Sequence, residues 1–233
     1  MNAQALGEPG PPPGRQLIEL SHRIENGMIT YPGLPGPEIT AHLTREASTA
    51  VYAPGTTFAI DRISMVGNTG TYLDSPLHRY AEGPDLSGIP LASVADLPAV
   101  LVRTAGAAHR GVGVNDLTGL DVAGAAVLLH TGGDEHWRTE QYATDAPFLT
   151  AAAATWLVEG GAALVGIDSI NIDDTGDRER PAHTILLGAG IPVVEHLTGL
   201  DRLPDVGARF TAAPPLVAGF GTFPVRAFAV VGG

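Results

Sequence analysis

The chain has 233 residues, 44% of them hydrophobic and 16% charged, and carries a formal net charge of −12. Its 13 basic residues are all arginines and form no run or stripe, which argues against nucleic acid or an anionic membrane as a partner. There is no cysteine, so disulfides, thiolate metal sites and a cysteine nucleophile are excluded.

Residues 1–14 are rich in proline and glycine and read as a disordered or polyproline tail. They lack a basic region followed by an apolar stretch, and no apolar run reaches membrane-spanning length, so a cytoplasmic protein is the expectation. No break in composition divides residues 15–233, which read as a single domain. Residues 16–20, 38–43 and 58–66 are expected strands, with a proline- and glycine-punctuated loop from Tyr31 to Pro37 between the first two. Residues 80–98 read as irregular. The apolar runs 99–103, 125–130, 164–167 and 191–195 read as strands, with the first two buried, and 225–231 as a last strand. Leu149, Ala153, Trp156 and Leu157 mark one helical face, with Thr150 as N-cap and Gly160 and Gly161 as stop. A helical turn is expected over 114–120 and a helix over 182–187, ended by Gly188 and Gly190. Strands dominate early and helix–strand units late, which predicts a mixed α/β domain.

One stretch concentrates polar chemistry: Asn68-Thr-Gly-Thr-Tyr72-Leu-Asp74-Ser-Pro76-Leu-His78. If 68–74 is extended, Asn68, Gly70, Tyr72 and Asp74 share a face. Pro76 ends the ladder for want of an N–H, and His78 follows on a turn. A polar row of this kind is costly on a packed face, so it belongs at the surface or in a site.

No Gly-x-Ser-x-Gly elbow, P-loop or complete Gly-x-Gly-x-x-Gly is present, which removes support for serine hydrolysis, phosphoryl transfer and hydride transfer. Oxygen and nitrogen ligands remain, and Asp74, His78, His183 and Glu195 form the sharpest set for a divalent metal. Against this stand plainer roles: a turn-forming Asp before Ser-Pro and a helix-capping His. His130, Asp134, Glu135 and His136 form a rival cluster that reads better as a solvated glycine-rich loop. Trp137 beside it either packs or closes a substrate pocket.

The polar stretch resembles the signature His-x-Gly-Thr-His-x-Asp-x-Pro-x-His of the cyclase family, which includes bacterial kynurenine formamidases and isatin hydrolases. Gly70, Thr71, Asp74, Pro76 and His78 agree with it. The opening Leu17 to His22, Met28 to Gly33, Leu164 to Asp168 and the segment from His183 to Glu195 also look like that family. The resemblance implies a compact α/β fold of the swivelling β/β/α type, assembled as a homodimer or homotetramer. It implies a zinc or manganese site that hydrolyses an amide, formamide or lactam C–N bond of a small molecule. Asp74, His183 and Glu195 would then be metal ligands and His78 the general acid/base. The first two signature histidines, metal ligands in the family, are Asn68 and Tyr72 here. A weak amide ligand and a phenol with a reference pKa of about 10 imply at most one metal per site.

Three functions stay open on this basis. The first is an arylformamidase-like hydrolase in which Tyr72 hydrogen-bonds the developing oxyanion and Asn68 and Trp137 contact substrate. The second is a metal-free cyclase or dehydratase of specialised, polyketide-like metabolism, working by acid/base catalysis. The third is a binding protein that kept the pocket without the chemistry.

Overall fold

The structure, a computed structural model, describes residues 14–232; the expected tail therefore lies, Gly14 aside, outside the described residues. In chain order it contains β1 (Gln16–Glu19), β2 (Glu38–Leu43), α1 (Arg45–Ser48), β3 (Ile60–Ser64), β4 (Tyr72–Asp74), β5 (Leu97–Arg103), β6 (Gly111–Val112) and α2 (Val114–Leu117). Next come β7 (Ala126–His130), β8 (Phe148–Leu149), α3 (Ala151–Glu159), β9 (Leu164–Ile167), α4 (Pro181–Gly188) and β10 (Val193–Glu195). The chain closes with β11 (Ala208–Thr211), β12 (Thr222–Pro224) and β13 (Phe228–Val231).

Nine strands form one mixed sheet in the order β1-β13-β11-β5-β7-β9-β10-β4-β12. Its centre, β5-β7-β9-β10, is parallel, and antiparallel strands extend it on both sides. The central strands are apolar up to their last residues, Arg103, His130 and Glu195 among them, because both of their faces are covered. Val127, Leu129, Val165 and Ile167 face α3 and α4, packing with Leu157, Leu186 and Leu187. Leu101, Leu128, Leu164 and Val194 face the other way, onto a core shared with Ile18, Leu73 and Phe210. This is the mixed α/β architecture that the sequence predicts, with the Thr150 hydroxyl capping α3 by accepting from the Ala153 N–H.

The polar stretch departs from a simple strand. Only Tyr72–Asp74 pairs in the sheet, because Gly70 has φ 66°, a left-handed conformation that breaks the alternation of faces. Two strands near the C-terminus escape the sequence reading. β11 (Ala-Arg-Phe-Thr) is short, and β12 ends on Pro224 at the sheet edge, where the missing N–H faces no partner strand.

Candidate metal centre and its pocket

β4 is the floor of the site, and its two neighbours decide what its side chains meet. On one side the antiparallel register sets Tyr72 opposite Glu195 of β10; on the other it sets Asp74 opposite Thr222 of β12. The cross-strand pairs become side-chain hydrogen bonds. The Tyr72 hydroxyl donates to Glu195 Oε2 at 2.6 Å, and the Thr222 hydroxyl donates to Asp74 Oδ1. Having spent its proton, Thr222 Oγ1 accepts from His78 Nδ1 at 2.8 Å, which leaves the Nε2 lone pair of His78 free. His78 sits where expected, on a tight helical turn after Pro76, and its side chain is 36% exposed at the pocket.

α4 delivers His183 from above. Asp173, in the preceding loop, accepts the Ala182 and His183 backbone N–H groups and binds His183 Nδ1 at 2.7 Å. The ring is thereby fixed with Nε2 directed at two carboxylates, 3.6 Å from Asp74 Oδ2 and 3.6 Å from Glu195 Oε1. Those separations are too long for hydrogen bonds. His183 Nε2 and Asp74 Oδ2 are buried with no hydrogen-bond partner.

Three carboxylates (Asp74, Asp173 and Glu195) thus converge on one buried imidazole. Burial alone would lower the His183 pKa, but contact with Asp173 and the facing Asp74 and Glu195 charges raise it to about 10. Burial, helped by the Asp74 charge, pushes Glu195 up to about 7 against the pull of His183, Tyr72 and the Ile172 N–H. Burial also works against the charge on Asp74, yet His183, His78 and Thr222 hold it below the usual carboxylate range. An imidazolium supplies one positive charge where a divalent cation would supply two. Atoms coordinated tetrahedrally at 2.0–2.2 Å stand about 3.4 Å apart, close to the observed spacing. The residues therefore fit a divalent metal ion. Ligand atoms of Asp74, His78 and His183 lie within 4.8 Å of one another, and Glu195 joins through His183.

The substituted half of the signature is satisfied instead. Burial and the Glu195 charge raise the Tyr72 phenol well above its ordinary value, which keeps it protonated beside Glu195. Its single proton goes to Glu195, which leaves none for a substrate oxyanion; in this geometry Tyr72 positions Glu195. His196 Nε2 lies 3.2 Å from the Tyr72 hydroxyl, and its Nδ1 lies 2.8 Å from the Tyr142 hydroxyl. Burial lowers His196 to about 3, so the ring is neutral: Nε2–H donates to Tyr72 and Nδ1 accepts from Tyr142. Its φ of 57° is one of five positive values among the described non-glycine residues. Asn68 borders the pocket beside Tyr72.

A cleft of about 610 Å3 opens above this floor, bordered by Asn68, Tyr72, His78, His183 and Glu195 below and by Tyr31, Asn171 and Arg180 above. Trp137 is not among its lining residues. It stacks on His22 with ring centroids 3.9 Å apart and meets Tyr142 and His196 edge-on, which is packing rather than substrate contact. The rival cluster is a loop anchor, since Asp134 accepts from the Thr198 hydroxyl and the Gly199 N–H. Asp173, His196 and Tyr142 escape the sequence reading; Asp173 stands eight residues ahead of Pro181, too far from the helix start to read as its cap.

The chain resembles known proteins along nearly its whole length. Kynurenine formamidase of Bacillus cytotoxicus is 27% identical over 213 residues, 91% of this chain and 96% of that protein. That of Geobacillus thermodenitrificans is 27% identical over 212 residues, 90% of this chain and 95% of the relative. Among solved structures, isatin hydrolase A from Labrenzia aggregata superposes with a TM-score of 0.78 at 22% identity, covering 94% of both chains, a likeness of fold. A structure described as a potential metal-dependent hydrolase with cyclase activity gives 0.74 at 25% identity, covering 93% of this chain and 98% of the other. The cyclase family model, described as "Putative cyclase", matches residues 18–174, more than half of the chain, and the chain belongs to that family.

Proposed function

We propose that this protein is a metal-dependent hydrolase of a C–N bond in a small-molecule amide, formamide or lactam, working with one divalent ion per site. One observation carries the reading: His183 Nε2 and Asp74 Oδ2, both buried and unpartnered, face each other across 3.6 Å. Unsatisfied buried polar atoms are costly, and a cation between them removes the cost. The kynurenine formamidase relatives support the bond type. Asp74, His183 and Glu195 Oε1 would hold the ion, zinc or manganese by the mixture of nitrogen and oxygen donors. Bound there, the ion supplies Lewis acidity and lowers the pKa of water.

The chain's own residues do the rest. Asp173 holds the His183 ring in the tautomer whose Nε2 can ligate. Tyr72 and the Ile172 N–H hold the two Glu195 oxygens in place. His78, half-exposed with a free Nε2, takes a proton at that atom and returns it to the leaving nitrogen. Asn68, at the edge of the floor, offers its amide to the substrate carbonyl. The β2–β3 ribbon leaves Ile39, Ile60 and Ile63 exposed, an apolar surface for a homodimer or homotetramer to cover.

Arylformamide hydrolysis should vanish when EDTA strips the ion and return on adding zinc or manganese. Undiminished activity in protein shown by elemental analysis to be metal-free would sink the reading and favour acid/base chemistry by His78 and Glu195.

A further inference from the structure

Three arginines, Arg79, Arg178 and Arg180, border the same cleft above the floor, accompanied at the rim by a single carboxylate, Glu179. The chain as a whole holds 25 acidic residues against 13 arginines, so a rim of three cations to one anion reverses the general balance. Of the ten other arginines, Arg103, Arg110, Arg138, Arg209 and Arg226 each pair with a carboxylate, while among the described residues Arg15, Arg23, Arg45, Arg62 and Arg202 do not. Among the described residues the three rim arginines have no such partner. Arg79 reaches the Thr184 hydroxyl at 3.3 Å and lies over the Tyr80 ring. Arg180 donates only to neutral oxygens, Asn171 Oδ1 at 3.3 Å and the Asp174 carbonyl at 3.1 Å.

Arg180 is also held in an unusual backbone conformation. Its φ of 49° and ψ of 59° are left-handed, a region a long side chain rarely adopts. It is followed at once by Pro181 and by the helix that carries His183. The strained residue thus joins the rim to a metal-ligating side chain, and strain of this kind collects at ligand-binding positions.

Resting on the hydrolase reading, we propose that the substrate carries a carboxylate, that Arg180 with Arg178 and Arg79 binds it at the rim, and that the neutral amide is thereby directed to the floor. The guanidinium fork matches a planar carboxylate, and one held by Asn171 is already partly oriented. The three arginines lie at the rim and His78, His183 and Glu195 at the floor, so a substrate whose charged end is held at the rim presents its neutral amide to the floor.

The test separates binding from turnover by using a pair of ketones that no hydrolase can cleave, 3-acetylbenzoate and 3-methylacetophenone. Titration calorimetry on the metal-loaded protein should show at least tenfold tighter binding of the carboxylate, weakened by added salt. Arg180→Gln should remove most of that preference, and Arg178→Gln, at an exposed position, a smaller part without disturbing the fold. Equal affinities in the wild type overturn the proposal. So does a preference that survives loss of all three arginines, because the carboxylate would then bind the floor. Displacement by equimolar inorganic phosphate would reassign the rim to phosphate esters and also overturn it. None of these outcomes depends on whether amides are hydrolysed, so the two readings fail separately.

Discussion

Asp74 and Asp168 are both fully buried carboxylates at the ends of strands, and they are solved in opposite ways. Asp168, after β9, accepts from the Thr131 N–H, the Thr131 hydroxyl and the Gly132 N–H, so both of its oxygens are occupied. Asp74, on β4, receives the Thr222 hydroxyl on Oδ1 and nothing on Oδ2. A fully satisfied carboxylate binds two loops together. One left open beside an imidazole and a second carboxylate waits for a cation. Satisfaction, rather than burial or charge, separates the structural acid from the chemical one.

Exchanging each carboxylate for its amide breaks the comparison most sharply. Asp74→Asn should abolish ion binding and reduce hydrolysis by more than the roughly 100-fold that loss of an outer partner costs. Asp168→Asn should do the reverse. Its new NH2 faces backbone N–H donors, so stability falls by about 1–3 kcal/mol while activity per folded molecule persists. Denaturant titration with paired activity measurements tests both; a swapped pattern would refute the contrast.

Smaller effects sharpen it. Asp173→Asn leaves the ligands in place but releases the His183 ring, and apparent metal affinity should fall about 10–100-fold. Tyr72→Phe removes the donor to Glu195 and the acceptor for His196, at a cost of about 1–3 kcal/mol in stability. Stability also depends on pH through a buried histidine. Burial depresses His196 from 6.5 to about 3, so its neutral ring contributes stability that is fully present above pH 6.5 and is lost as pH falls toward 3. His196→Asn, a residue suited to φ 57°, should flatten the decline in melting temperature over that window; an unchanged slope would rule His196 out as its source.

The same contrast explains what the sequence could reveal. β5, β7, β9 and β10 are legible as apolar runs because burial on both faces leaves no polar alternation to confuse. Asp74, His78, His183 and Glu195 stand out through residue type and through the family signature. Which of their atoms are satisfied is a tertiary property. The pairing of Tyr72 with Glu195, and of Asp74 with Thr222, follows from the register of β4 between two strands more than a hundred residues away in sequence. Asp173 and His196 are hidden for the same reason, each looking like an ordinary loop or strand-end residue until its partners are in place.

Metal titration of chelator-treated protein by calorimetry, in buffers of different ionisation enthalpy, tests the cation site most directly. At pH 7 the unliganded His183, raised to about 10, is an imidazolium and must lose its proton before Nε2 can ligate. The expected result is one divalent ion bound per chain with release of between one and two protons, one from His183 and a part of one from Glu195, raised to about 7, with binding and release both lost in Asp74→Asn and retained in Asp168→Asn. Full arylformamide hydrolysis by protein that binds no ion would contradict it.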